Sequence, residues 1–389
     1  MTIPEIRTVC YVGAGTMGCY NSLAAAVSGY RVVLYDMDEQ ALQQVGERHR
    51  EMAGMLVGGG YCAHEDIEAA MQRVSLEANL ARATAEADLV SESVVENLDV
   101  KRDVHRQLDA TCPRDTILTT NSSALPVSAI EDAVARGDRF AALHSHFGSP
   151  LVDIVGGPNT DPKVIEILER YVESTKGAPL VLRKEYPGYV LNAMLGPVLG
   201  AALALVVDGL ASQEEVDRAW MRNRHASMGP FGMMDLFGLN VIFDSWEHRE
   251  LDVRSARLQP MVLDFLRPYL ERGDLGMKTG AGFYCYPAPA YQEGGFLDGG
   301  DVSPGLVGTL LVALVSNAIL IAAAGVADPE QIDRAWQVGT YLDAGPFGIL
   351  SGIGETYFLQ ALALEVEALR VDPDKAFLVE AWLGEHSAR

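Results

Sequence analysis

Val9-Cys10-Tyr11-Val12 runs directly into Gly13-Ala14-Gly15-Thr16-Met17-Gly18, and a second apolar run, Val32-Val33-Leu34-Tyr35, ends on Asp36. The order is strand, glycine-rich turn, helix, strand, acid, the opening unit of a doubly wound α/β sheet. Gly13 permits the tight turn, Gly15 lets the backbone approach a pyrophosphate, and Gly18 lets the helix pack close on its strand. Thr16 and Met17 sit at the helix N-terminus, where unpaired N–H groups and partial positive charge favour phosphate oxygens. Asp36, 18 residues beyond Gly18, is suited to accept hydrogen bonds from both ribose hydroxyls and to repel a 2′-phosphate. The expected cofactor is therefore NAD in preference to NADP.

Working outward, the chain of 389 residues exceeds the usual size of one domain, and half of it is hydrophobic, ample for real cores. A formal net charge of −23 argues against nucleic acid and anionic membrane as partners, since both are polyanions. Cys10, Cys19, Cys62, Cys112 and Cys285 are scattered, odd in number and without C-x-x-C spacing. That fits a reducing cytoplasm and neither a disulfide framework nor a zinc site, so no metal is expected. Met1-Thr2-Ile3-Pro4-Glu5 shows no basic region followed by an apolar block, so no secretory signal is expected. Between Gly305 and Ala327 there is no charge at all, and length alone would license a membrane span. A helix buried on every side is the favoured reading, because flanking basic residues are absent and a charged soluble cousin occurs earlier in the chain.

Up to about residue 184, short apolar runs alternate with helical stretches, as a parallel sheet requires. From Pro187 onward strand signals vanish. The Pro/Gly-rich stretch between Pro287 and Pro304 reads as a linker, and it separates two copies of one unit. A constant offset of 116 relates Gly209 to Gly325, Trp220 to Trp336 and Gly229 to Gly345, the last within Gly-Pro-Phe-Gly in both copies. The expected organisation is a dinucleotide-binding domain over 1–184, a helical domain over 185–286, a linker over 287–303 and a degenerate second helical copy over 304–389.

Five segments carry a resemblance to a known family: Ser91-Glu92-Ser93-Val94-Val95-Glu96-Asn97-Leu98-Asp99-Val100-Lys101; Thr120-Asn121-Ser122-Ser123 with Asp138-Arg139-Phe140-Ala141-Ala142-Leu143-His144; Pro187-Gly188-Tyr189-Val190-Leu191-Asn192; Met228-Gly229-Pro230-Phe231; and Lys278-Thr279-Gly280-Ala281-Gly282-Phe283-Tyr284. Over nearly its whole length the chain resembles the L-3-hydroxyacyl-CoA dehydrogenases. The resemblance implies a Rossmann-type domain followed by two all-α domains of the 6-phosphogluconate-dehydrogenase type. It also implies NAD-dependent oxidation of a short-chain 3-hydroxyacyl-CoA to the 3-oxoacyl form, or the reverse, in fatty acid metabolism.

Such a reaction needs a base for the hydroxyl proton, a nicotinamide to take hydride and donors to hold the oxygen. A histidine at the end of a strand suits the base, with a carboxylate behind it to fix the tautomer and stabilise the imidazolium. The resemblance assigns these roles to His144 and Asp153. It places Ser123 and Asn192 on the substrate oxygen, Glu96 and Lys101 on the nicotinamide ribose, and Ser123 and Lys278 on the cofactor. Bland roles exist for each. Asn121 and Ser123 are suited to cap a helix near Pro126, Glu96 and Lys101 to form a solvated face, and Asp153 to pair with any nearby donor. Asn192, a polar residue in an otherwise apolar helix, calls for a functional role more strongly.

The catalytic turn departs from the family pattern. His144-Ser145-His146-Phe147-Gly148-Ser149-Pro150-Leu151-Val152-Asp153 lacks the family asparagine, is about three residues shorter and carries Asp where Glu is usual. An alternative alignment makes His146 the base; the gapless match through residues 138–144 favours His144. For coenzyme phosphates, Arg48, His49 and Arg50 form the only basic cluster in the expected region. A free hydroxy acid of the gulonate or carnitine type, or a carrier-protein-bound hydroxyacyl group, therefore stands as an alternative substrate, and a non-catalytic NAD-binding or structural protein as an alternative of another class. The duplicated helical domain predicts an intramolecular pseudo-dimer, leaving the chain a monomer or weak homodimer. Thr309, aligned with Asn192, marks the second copy as catalytically silent.

Overall fold

The computed structural model describes residues 6–249, 252–300 and 303–386. The first five residues, read above for a targeting signal, and residues 301–302 of the expected linker lie outside them. Eight strands form one sheet: β1 (Thr8–Val12), β2 (Arg31–Tyr35), β3 (Val74–Glu77), β4 (Leu89–Glu92), β5 (Ile117–Thr120), β6 (Phe140–Ser145), β7 (Leu151–Gly156) and β8 (Ala178–Val181). Their spatial order is β3-β2-β1-β4-β5-β6-β7-β8. Strands β1, β4 and β5 are buried throughout, as the interior strands of a parallel sheet covered on both faces are. β3, Val-Ser-Leu-Glu, is the strand absent from the sequence reading. It lies at the sheet edge with its central residues exposed, so no apolar run marks it.

All neighbouring pairs run parallel except β6 and β7. That reversal places the end of β6 and the start of β7 side by side, joined by a short turn in which Gly148 takes φ +74°. The register sets His144 directly opposite Asp153.

The chain divides into two compact units, one of residues 1–190 with 325–327 and 338–341, the other of residues 191–324 with 328–337 and 342–389. Most of both helical repeats falls within the second; residues 185–190 of the first repeat and 325–327 and 338–341 of the second cluster with the first unit. In the second unit the helix Pro304–Ala323 packs against Leu191–Val207, Gln213–Arg224, Pro346–Ile353, Glu355–Glu367 and Pro373–His386. It is long and apolar enough to cross a membrane, yet 67% of its most apolar window is buried against protein. Trp220 and Trp336, equivalent in the two repeats, meet edge to face at 6.3 Å. Asp217 accepts the N–H groups of Phe231 (2.8 Å) and Gly232 (3.1 Å), and Asp333 accepts those of Phe347 (2.7 Å) and Gly348 (2.9 Å). Each thereby caps the helix that opens with Gly-Pro-Phe-Gly. Thr309 donates to Glu365 at 2.8 Å.

Candidate active site

The glycine turn leaves a backbone face open. A Cβ on Gly13, whose φ is +105°, would lie 2.6 Å from the Ser93 carbonyl oxygen, and one on Gly18 would lie 1.7 Å from that of Gly13. Nothing lies within 4 Å of the position a Cβ on Gly15 would take. Gly15 and Thr16 are exposed and Met17 half-buried, and no side chain caps the helix Thr16–Val27, so its first N–H groups face outward. Asp36 is fixed beneath the turn: Oδ2 accepts from Ala14 N–H at 2.7 Å and Oδ1 from Asp38 N–H at 2.9 Å. These residues fit a dinucleotide, with room for its pyrophosphate at Gly15 and a carboxylate for its ribose.

The basic cluster beyond β2 is already engaged. Arg48 donates to the Ala14 carbonyl at 2.6 Å and to Gln44 at 2.7 Å, which makes it a clamp on the glycine turn, a role its sequence position does not announce. His49 is buried against Ser22 at 3.1 Å, and burial pushes its imidazole down to about 4. Arg50 pairs with Glu68 at 3.2 Å.

At the end of β4, Glu92 is wholly buried. Oε1 accepts from Lys101 at 2.7 Å and from Val94 N–H at 2.8 Å; Oε2 meets His105 at 3.2 Å and accepts from Thr120 at 2.8 Å. Burial alone would raise its carboxyl, but the hydrogen bonds and the Lys101 charge hold it at about 2. Lys101 also lies 3.3 Å from Glu96, which accepts from Ser122 Oγ and from Ala124 N–H at 3.0 Å. Burial opposes ionisation of Glu96, but these partners hold it below the usual carboxylate range. The placement of Lys101 differs from expectation. Only 1% of its side chain is exposed, and its ammonium faces inward. Glu96, 40% exposed, is the member of the pair that a ligand can reach. Asn97 caps the helix Leu98–Thr111 through Val100 N–H at 3.1 Å.

The chemistry-bearing group stands where β6 reverses into β7. His144 and His146, two residues apart near the end of β6, share a face. Asp153, wholly buried, lies 3.0 Å from His144 Nδ1 and 2.8 Å from His146 Nε2, both at Oδ2. The three side chains place their ligand atoms within 4.8 Å of one another, and each is engaged in a hydrogen bond. Burial would raise the Asp153 carboxyl, but the two imidazole hydrogen bonds outweigh it and keep it ionised. An ionised carboxylate only accepts, so His144 carries its proton on Nδ1. Its Nε2 then presents a lone pair to Ser123 Oγ, 3.0 Å away. Burial lowers the affinity of His144 for a second proton more than Asp153 restores it, so the ring stays neutral near pH 7.

Tyr189 stacks on His144 with ring centroids 4.4 Å apart and donates to the Ser122 carbonyl at 2.7 Å. Asn121 Oδ1 accepts from Ser145 N–H at 2.7 Å, tying the end of β5 to β6. Neither Asn121 nor Ser123 caps the following helix, Val127–Glu131, whose Ser128 N–H is instead accepted by Glu185 at 2.8 Å. Ser123 is exposed beside a largely apolar cleft that is also lined by Leu125, Val155, Tyr186 and Tyr189. Asn192 and Lys278 belong to the helical unit. Asn192 is half-buried at the second position of the helix Leu191–Val207, and Lys278 is exposed and donates to Asn240 at 2.7 Å.

Comparison with known proteins accords with this geometry. Residues 8–186 match the family described as 3-hydroxyacyl-CoA dehydrogenase, NAD binding domain, and residues 188–286 and 306–380 match the corresponding C-terminal domain. The mitochondrial hydroxyacyl-coenzyme A dehydrogenase of Sus scrofa is 32% identical over 292 residues, covering 72% of this chain and 91% of that protein. A solved diketoreductase acting on dicarbonyl compounds is 32% identical with a TM-score of 0.66, over 73% of this chain and all of that one. A 3-hydroxybutyryl-CoA dehydrogenase from Escherichia coli, 21% identical, shares the fold over 99% of this chain and all of its own, with a TM-score of 0.79. The chain belongs to the 3-hydroxyacyl-CoA dehydrogenase family of NAD-dependent oxidoreductases.

Proposed function

We propose that this dehydrogenase interconverts a short-chain 3-hydroxyacyl-CoA and its 3-oxoacyl form, with His144 as the group that takes and returns the hydroxyl proton. The observation that carries the proposal is the line from buried Asp153 through His144 to exposed Ser123, at 3.0 Å and 3.0 Å. When bound, NAD supplies the acceptor for the hydride on the carbinol carbon. Ser123 holds the substrate oxygen beside His144. The O–H bond breaks toward Nε2, a carbonyl forms, and Asp153 stabilises the imidazolium; in the reverse direction that proton returns to the oxygen. Gly13, Gly15, Thr16, Met17 and Gly18 hold the pyrophosphate, Asp36 the adenosine ribose and Glu96 the nicotinamide ribose. Lys101 acts one step removed, by fixing Glu96. For Asn192 and Lys278, contacts to substrate oxygen and cofactor follow from the resemblance alone, and alanine substitution with separate kcat and KM readouts tests them.

A second reading, a free hydroxy acid or a carrier-protein-bound group, is favoured by one observation: Arg48, His49 and Arg50 are occupied within the fold. NADH formation with matched 3-hydroxyacyl-CoA thioesters and free 3-hydroxy acids decides. Turnover of the acids alone would contradict the thioester assignment. The Trp220–Trp336 contact and the helix packing support an intramolecular pseudo-dimer of the two repeats, and hence a monomer or weak homodimer in a reducing cytoplasm. Light scattering on the full chain tests this; a tight dimer would contradict it.

A further inference from the structure

The connection between base and carboxylate carries a third side chain. In the family pattern one histidine pairs with one glutamate. Here the carboxylate belongs to Asp153, one methylene shorter, and its Oδ2 meets two imidazoles, His146 at 2.8 Å and His144 at 3.0 Å. The two rings stand edge to face, centroids 4.5 Å apart. Oδ1 of Asp153 has no hydrogen-bond partner among the described residues. A short buried carboxylate held by His144 alone would have a single directional restraint, and the second imidazole supplies another.

Resting on the reading that His144 is the base, we infer that His146 is a positioning residue: its Nε2–H holds the Asp153 carboxylate beneath His144 and, by sharing Oδ2, weakens the support Asp153 gives to the imidazolium. An oxygen already accepting one N–H stabilises a second donor less. The titratable groups acting on His144 are Asp153 from β7, His146 from β6 and Glu96 from the turn after β4, with Tyr189 stacked over the ring. Of these, His146 opposes protonation of His144, whereas Asp153 and Glu96 favour it. Removing the His146 donor therefore makes His144 hold its proton more tightly. Alcohol oxidation needs the neutral ring, so the acid limb of its pH profile moves to higher pH. Carbonyl reduction needs the imidazolium, so its alkaline limb moves to higher pH as well.

The test is the pH dependence of kcat/KM in both directions for the wild type and for His146→Leu, His146→Ala and His146→Gln. Leucine and alanine remove the donor; glutamine keeps an N–H at similar reach without a titrating proton. The expected result is kcat within about tenfold of wild type, with both limbs displaced upward by about 0.5–1 pH unit in the Leu and Ala variants and restored in the Gln variant. If alanine prevents folding, leucine, which fills the volume, reads the same displacement. Unmoved limbs in the donor-less variants, or a Gln variant displaced as far as they are, would overturn the inference while leaving His144 as base. Loss of turnover in the alanine variant as complete as that in His144→Ala would instead overturn the base assignment itself.

Discussion

Two buried carboxylates stand in the same sheet, on β4 and β7 with two strands between them, and they do opposite things. Glu92 on β4 has both oxygens saturated by four partners, one of them the ammonium of Lys101. Asp153 on β7 uses one oxygen for two imidazoles and leaves the other without a partner among the described residues. The Glu92 set closes inward on Lys101, whereas the Asp153 set leads outward through His144 to Ser123. Saturation with a fixed cation makes a buried charge structural; titratable partners with one outlet make it reactive. Sequence proximity to the family motifs does not separate the two, since Glu92 lies within one and Asp153 nine residues beyond the His144 that ends another.

The comparison breaks if substitution at the two carboxylates gives the same phenotype. Asp153→Asn is expected to lower kcat by roughly 10²–10⁴ by disturbing the His144 tautomer, with thermal stability nearly unchanged. Glu92→Gln is expected to do the reverse, costing about 3–5 kcal/mol of stability because Lys101 is left as an uncompensated buried charge. Urea unfolding and kcat per folded molecule read the two effects separately. The pH dependence of stability sharpens the contrast. The Glu92 carboxyl falls from about 4.3 in the unfolded chain to about 2 in the folded one. Its contribution is therefore fully present above about pH 4.3 and lost as pH drops toward 2. Tm measured from pH 6 to pH 2 should fall less steeply for Glu92→Gln than for the wild type in that window. The smallest effect belongs to the cofactor end: Asp36→Ala should weaken NAD by about tenfold, the value of a hydrogen bond to a charged group, and narrow its advantage over NADP. Equal affinities for both cofactors in the wild type would remove the role given to Asp36.

Much of this was legible before any coordinates. The glycine turn, Asp36 and the apolar strands are local patterns, and so is the recurrence of Trp and Gly-Pro-Phe-Gly in the two repeats. His144 and Asp153 are legible as a pair only through the resemblance; the antiparallel register sets the two opposite each other. The sharing of Asp153 was half visible: His-Ser-His places both imidazoles on one strand face, but only the antiparallel register shows that one oxygen serves both. Edge strand β3 has too little apolar surface to announce itself. Arg48 and Lys101 needed the fold, since whether a long cationic side chain turns to a ligand or to a carbonyl or buried acid depends on contacts distant in sequence. Arg48 reaches Ala14 across 34 positions, and Glu92 reaches Thr120 across 28.

The central claim is that proton transfer runs through His144 with Asp153 behind it. Single-turnover oxidation of a short-chain 3-hydroxyacyl-CoA by His144→Ala, compared with His146→Ala at matched NAD saturation, tests it most directly. The account predicts a loss of roughly 10²–10⁴ in the hydride-transfer rate for His144→Ala with unchanged Kd for NAD, and a loss within about tenfold for His146→Ala. A His144→Ala enzyme that turns over within tenfold of wild type would contradict it.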